Sequence, residues 1–374
     1  MHKKDSIVTQ VYWQPLEKLL NPQRAKSQAL PGFDEEFVDI VDYIIRITHR
    51  IWERKNIGLC YRYYADICPV FTLGGYSESV ESVVQNTLKT IASFPDRSLI
   101  GEDVIWREND DGSYYSSHLI TSIMTNTGDS EFGKATNKTG RVTTIADCIC
   151  SENKIVKEWL VRDNSFLVMQ LGIDPIDAAI NAAKVPHVSA FLDWQQSEIE
   201  RISQVKHRDE VLLCREDNWC IESFIHSWAQ IIFNQKQFSQ LSLFYGLTAS
   251  QQWPGGRMST GIAQISGNFI QWLAQCPDAK MTVDHIATVK MEDGSIDVAV
   301  RWSLAGHFNP RNPRLKPVAG QQFFVLAASH FYIKNQRIMK EITVFDELAL
   351  YSNLIRQAQV ELELSSAQEN NQHA

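Results

Sequence analysis

The chain has 374 residues, 44% of them hydrophobic and 21% charged, which is enough apolar material for two or three packed cores. Its 36 basic and 44 acidic residues leave a net charge of −8, which argues against nucleic acid or an anionic membrane as partner. No window reaches about 18 uninterrupted apolar residues, so no membrane span is expected.

In chain order, residues 1–30 read as an N-terminal extension. Asp5, Thr9, Gln10 and Gln14 interrupt any secretory apolar stretch there. Phe37, Ile40, Val41, Ile44, Ile45, Thr48, Ile51 and Trp52 then recur at helical spacing. A short strand follows from Cys68 to Leu73, closed by Gly74-Gly75, residues suited to a tight turn. A second amphipathic helix carries Val80, Val83, Val84, Thr87, Leu88 and Ile91 on one face and stops at Pro95. Long antiparallel strands are expected at about 99–107, 114–126, 140–150 and 154–161. Residues 176–209 read as a helical connector, and the polar stretch 365–374 as a frayed end. The seven cysteines lack framework spacing and fit buried thiols in a reducing cytoplasm, the expected location.

The same series then recurs. Residues 145–164 align without a gap on 328–347, and Asp163 answers Asp346 at an offset of 183 residues. Both stretches share an apolar strand, a polar turn, a basic residue, Ile and then Lys-Glu. Pro95-Asp96 answers Pro277-Asp278, Asp111-Gly112-Ser113 answers Asp293-Gly294-Ser295, and Gly74-Gly75 answers Gly255-Gly256. An offset held at 181 to 183 over such distances is domain duplication, far longer than a solenoid repeat. Helices first and strands after give an α+β fold.

The stretch Lys154-Ile155-Val156-Lys157-Glu158-Trp159, followed by Arg162-Asp163-Asn164 and Gln170-Leu171-Gly172, carries a family likeness, as does Phe94-Pro95-Asp96. On these residues both units resemble the nuclear-transport-factor-2-like cone fold, specifically its SnoaL-like polyketide cyclase branch. The likeness is strong over about 35–175 and weak over about 216–350. It implies two tandem α+β cones, each with helices packed on a curved antiparallel sheet. The expected division is cone one at 31–175, connector at 176–212, cone two at 213–363 and tail at 364–374. The resemblance also implies acid/base chemistry without metal or cofactor, and a sheet-to-sheet pseudo-dimer within the chain. A further homo-oligomer is left open. Function is far less specific, because the fold hosts isomerases, cyclases, dehydratases, epoxide hydrolases and plain binding proteins.

Asp147 ranks first among candidate catalytic residues, because an aspartate inside the apolar strand run Thr144 to Ile149 needs a reason. The resemblance places it where ketosteroid-isomerase-like relatives keep a protonated acid. The bland alternative is an ion pair on the other face of the sheet, with a simple hairpin register putting Lys157 opposite. His330 holds the same place in unit two, either as a pocket group or as a core histidine. His118, on a strand lining the sheet's centre, is a candidate general base, and Val300 is its counterpart. Asp163 is a possible acid/base through the resemblance and an N-cap on its own chemistry. Tyr64 is a candidate hydroxyl donor, while Trp52, Tyr63, Trp159 and His330 complete the expected substrate-binding set, each also explicable as core.

The expected function is cofactor-independent acid/base chemistry on a small organic carbonyl compound, of cyclase, isomerase, aldol or dehydratase type, with the main pocket in unit one. The alternatives are a non-catalytic small-ligand-binding or accessory protein, and a water-activating hydrolase. What separates them is whether two titratable side chains face inward together.

Overall fold

The computed structural model describes residues 16–23, 25–205 and 219–372. Each repeat builds one six-stranded sheet. In the first, β1 (Ile67–Thr72), β2 (Gly75–Ser79), β3 (Ser98–Glu108), β4 (Tyr114–Thr125), β5 (Thr139–Ser151) and β6 (Lys154–Arg162) lie in the order β2-β1-β6-β5-β4-β3. In the second, β7 (Tyr245–Trp253), β8 (Arg257–Thr260), β9 (Lys280–Lys290), β10 (Ile296–Phe308), β11 (Gln321–Lys334) and β12 (Arg337–Phe345) lie in the order β8-β7-β12-β11-β10-β9. The four long strands of each sheet form an antiparallel meander, whereas β1 and β7 add in parallel to β6 and β12. Each sheet is therefore mixed, with an extra short strand after the Gly-Gly turn.

The turns repeat as closely as the strands do. Glu152-Asn153 joins β5 to β6 with φ of 48° and 68°, and Asn335-Gln336 joins β11 to β12 with φ of 51° and 59°. Two successive positive φ values match the twist of a two-residue hairpin. A bulge between Ile149 and Cys150 then shifts the register, so Asp147 pairs with Trp159 and Lys157 pairs with Ile149.

On the helical side, Asp39 accepts from Asp42 N at 2.8 Å and caps the helix Ile40–Thr48. That helix widens into a π turn at His49–Glu53, as its counterpart Ile221–Trp228 does at Ala229–Asn234. Ser79 caps the second helix, Val80–Ser93. These helices close one face of each sheet into a cone.

The other faces pack against each other. Leu73, Leu119, Ile145 and Val161 of unit one belong to the same apolar cluster as the core of unit two. With both faces covered, β4, β5, β10 and β11 are buried along almost their whole length. The helices Pro175–Ala183 and Ser189–Ser203 lie between the units in sequence, and the final helix runs Glu347–Gln372, through much of the stretch expected to fray. No helix among the described residues is long and apolar enough to cross a membrane.

Candidate functional site

Strand alternation decides which side chains enter the first cone. On β4, Ser116, His118, Ile120 and Met124 face it; on β5, Val142, Thr144, Ala146 and Cys148; on β6, Glu158, Leu160 and Arg162. Together with Trp52, Tyr64 and Thr87 from the helical side they enclose a cavity of about 1100 Å³. The register stacks these groups in layers: Ser116, Cys148 and Glu158; then His118, Ala146 and Leu160; then Ile120, Thr144 and Arg162. Below the first layer the cone is filled by Tyr43, Tyr114 and Cys150. At the opposite end the wall is shared, because Asp346, Ala349, Asn353 and Arg356 of unit two also line the cavity.

At the closed end the Tyr64 hydroxyl donates to Glu158 Oε2 at 3.1 Å. Burial pushes the Glu158 carboxyl upward, opposed by the Tyr64 bond and by the Arg162 charge. Burial and then Glu158 push the Tyr64 phenol well up, keeping it a proton donor. The second Glu158 oxygen accepts no hydrogen bond among the described residues, so the carboxyl is only half satisfied.

Among the described residues the side chain of His118, in the middle layer, makes no hydrogen bond, and its Nε2 is buried without a partner. Burial, and secondarily His330 behind the sheet, push its imidazole down to about 3, so it is neutral at physiological pH. Among the described residues no carboxylate is hydrogen-bonded to it. Further along, Arg97 precedes β3 and donates only to Ser122 Oγ, at 3.3 and 3.4 Å. Burial and then the neighbouring Arg162 push its guanidinium down to about 9.

Unit two keeps the tyrosine–glutamate pair but sets buried aromatic rings where the first cone is open. Glu341 accepts from Tyr245 at 2.7 Å, Gln251 at 2.9 Å, Trp253 Nε1 at 2.6 Å and Thr343 at 2.6 Å. Four donors occupy the whole acceptor capacity of a carboxylate. Trp253 stands where unit one has Thr72, Trp302 where it has Ile120, and Phe345 where it has Arg162. Trp253 packs edge to face with Phe269, and Phe345 with Trp272 and Trp302; Trp253, Trp302 and Phe345 are each at most 1% exposed. Aromatic volume fills the second cone.

The sequence candidates divide between three places. Tyr64, Trp52 and His118 line the first cavity, with the Trp52 ring edge-on to Tyr64 at 6.4 Å. Asp147 and His330 instead lie between the two sheets. Asp147 accepts from the Tyr115 hydroxyl, and Arg301 Nη1 lies 3.5 Å from its carboxyl. Asp147 is thus on the face away from the cone, with the arginine of unit two in place of Lys157, because the two-residue turn at Glu152-Asn153 and the bulge each move the register by one residue and set Lys157 opposite Ile149. His330 Nε2 shares a 2.8 Å hydrogen bond with Ser117 Oγ, and its Nδ1 is 3.3 Å from Asp103. Trp159 also faces unit two, with Arg301 Cζ 3.6 Å from its ring centroid.

Asp163 caps the helix Asn164–Gln170 through Phe166 N at 3.1 Å and accepts from Gly255 N of unit two at 2.8 Å. Tyr63 is buried among Phe37 and Tyr43 outside the cavity, its hydroxyl 3.3 Å from Arg50. Sequence reasoning missed Glu158, Arg97 and Arg162. The repeated Lys-Glu pair signalled the first; the arginines show only when each is set against its counterpart, Ala279 and Phe345. Among the described residues no cluster of three or more His, Cys, Asp or Glu is placed to hold a metal ion.

No protein-family model matches the chain, and no curated protein matches it. Among solved structures, the chain is similar to a SnoaL-like polyketide cyclase from Agrobacterium tumefaciens, at 15% identity over 36% of this chain and 98% of that one, with a TM-score of 0.30. It is also similar to a hypothetical protein with a ketosteroid-isomerase-like fold from Catenulispora acidiphila, in complex with trimethylamine, at 17% identity over 34% of this chain and 88% of that one, with a TM-score of 0.28. A third similar structure is TsrD from Streptomyces laurentii, at 18% identity over 38% of this chain and 97% of that one, with a TM-score of 0.29.

Proposed function

We propose that the first cone is the working site of an acid/base enzyme acting on an organic carbonyl compound, with Glu158 as the proton carrier. The observation that carries this reading is the contrast between two equivalent carboxyls. Glu341 is saturated by four donors inside a filled core, whereas Glu158 holds one hydrogen bond and faces an open cavity. A carboxyl raised by burial suits proton transfer near neutral pH. Glu158 takes a proton from the carbon beside the carbonyl; the C–H electron pair becomes the C=C bond of the enolate and the carbonyl π pair moves onto the oxygen. Return of that proton at another carbon completes an isomerisation. Attack of the enolate carbon on a second carbonyl forms the new C–C bond, and the alkoxide left on that carbonyl takes the proton back from Glu158 to complete an aldol-type ring closure. Tyr64 fixes the carboxyl, and the neutral His118 imidazole offers one N–H to the developing oxyanion.

The test needs no natural substrate. The full chain is incubated with 2-tetralone in D₂O and deuterium uptake at the α-carbon is followed by NMR. Uptake accelerated by the wild type and lost in Glu158→Gln supports the reading; equal rates in both contradict it. A second reading, ligand binding without turnover, is favoured by one observation: the tyrosine–glutamate pair persists in the filled cone, so the pair also serves the fold. Ligand-induced stabilisation with no α-proton exchange by the wild type selects that reading.

A further inference from the structure

Arg97 and Arg162 both reach the first cavity, and neither has a carboxylate within 4.0 Å among the described residues. Elsewhere the chain pairs its buried arginines. Arg46 lies 2.9 Å from Asp42, and Arg301 lies 3.5 Å from Asp147 and over Trp159. Arg356, at the cavity mouth, is occupied by the carbonyls of Ala182 and Val185. Among the described residues Arg97 has only long bonds to Ser122 Oγ, and the Arg162 side chain has no hydrogen-bond partner. Two like charges so placed repel, and the desolvated Arg97 guanidinium has no carboxylate partner at hand to offset its burial.

The duplication supplies an internal control. Ala279 stands at the place of Arg97 and Phe345 at that of Arg162. Both are fully buried in the second cone. The fold is complete without either guanidinium. What distinguishes the arginine-bearing unit is the cavity.

We infer that Arg97 and Arg162 form an oxyanion-binding subsite, so that the ligand of the first cone carries a carboxylate or phosphate monoester on an apolar body. Guanidinium donors match either group, and the low-polarity surroundings strengthen the pairing. The geometry also sets a length. Arg162 and Glu158 are four residues apart on β6, about 13 Å along the strand. A ligand anchored at the arginines therefore reaches Glu158 through a body of about two fused rings, past Leu160, His118 and Ala146. This inference rests on the first cone being the ligand site, and not on its turning the ligand over.

The test is calorimetric titration of the full chain at pH 7 with three probes sharing one body: 2-naphthylacetate, its neutral amide and 2-naphthyl phosphate. At least one anion is expected to bind about tenfold tighter than the amide. Arg162→Phe and Arg97→Ala, which copy unit two, each bring that ratio close to one while amide affinity changes less than about twofold. The free Arg97→Ala variant melts no lower than the wild type, because it loses a repelling, desolvated charge. The better anion identifies the headgroup class. Binding of the amide as tight as that of both anions, absence of binding by all three, or a preference surviving both substitutions overturns the inference. So does a lower melting temperature in both variants with the ratio unchanged, which marks the arginines as structural. Glu158→Gln separates the two readings: a wild type with anion preference but no α-proton exchange leaves the subsite standing and removes the enzyme.

Discussion

Arg162 and Phe345 are the last residues of β6 and β12 and occupy equivalent positions in the two units. The arginine faces a cavity; the phenylalanine, 0% exposed, packs on Trp253 at 5.7 Å and Trp272 at 5.3 Å. One exchange thus summarises how a repeated frame yields one open cone and one filled one.

The filled cone is expected to behave as a core. Trp302→Ala removes a 1% exposed ring and should cost about 3–5 kcal/mol, seen as a marked fall in Tm. Ile120→Ala, at the equivalent place beside the cavity, should cost less than half of that.

The two carboxyls should differ in the same sense. Glu341→Gln turns one acceptor oxygen into a donor facing other donors, and should cost about 2–3 kcal/mol. Glu158→Gln disturbs a single bond and should cost no more than about 1 kcal/mol. Chemical denaturation of both variants at one pH checks the ordering.

Between the sheets, Arg301 faces Asp147 and Trp159. Arg301→Met leaves a buried carboxyl unpaired and should destabilise by about 3 kcal/mol. Adding Asp147→Asn should recover part of that loss, a coupling that a double-mutant cycle measures. Additive effects would show that the pair contributes nothing.

Asp346 gives a pH dependence. Burial, with the neighbouring Asp163 adding to it, pushes its carboxyl up to about 7, above the ordinary 3.8. Folding therefore favours the protonated form. The favourable contribution is complete below about pH 4 and is lost as pH rises through about 7. Asp346→Asn keeps an acceptor for Ala349 N and should raise Tm by a few degrees at pH 8, with the gain fading towards pH 4. An equal gain at both pH values would contradict the assignment.

The duplication was legible because the offset holds at widely spaced landmarks, and the long strands because turn residues bound them. The strand β2 escaped, being a short polar stretch after Gly74. The site was harder to read for a physical reason. Back-to-back packing buries both faces of β5, so the apolar run around Asp147 does not say which face is the cone. The turn centred between Glu152 and Asn153, together with the bulge at Ile149, then moved Asp147's partner from Lys157 to Trp159. Lys157 and Glu158 were visible as a repeated pair, yet only the pleat shows that Glu158 points inward.

The most direct measurement of the central claim is α-proton exchange of 2-tetralone by Ile120→Trp, which places unit two's Trp302 ring in the first cavity. The fold has room for it, so Tm should hold or rise while exchange is abolished. Wild-type exchange by a folded Ile120→Trp variant would contradict the claim that the first cone does the work.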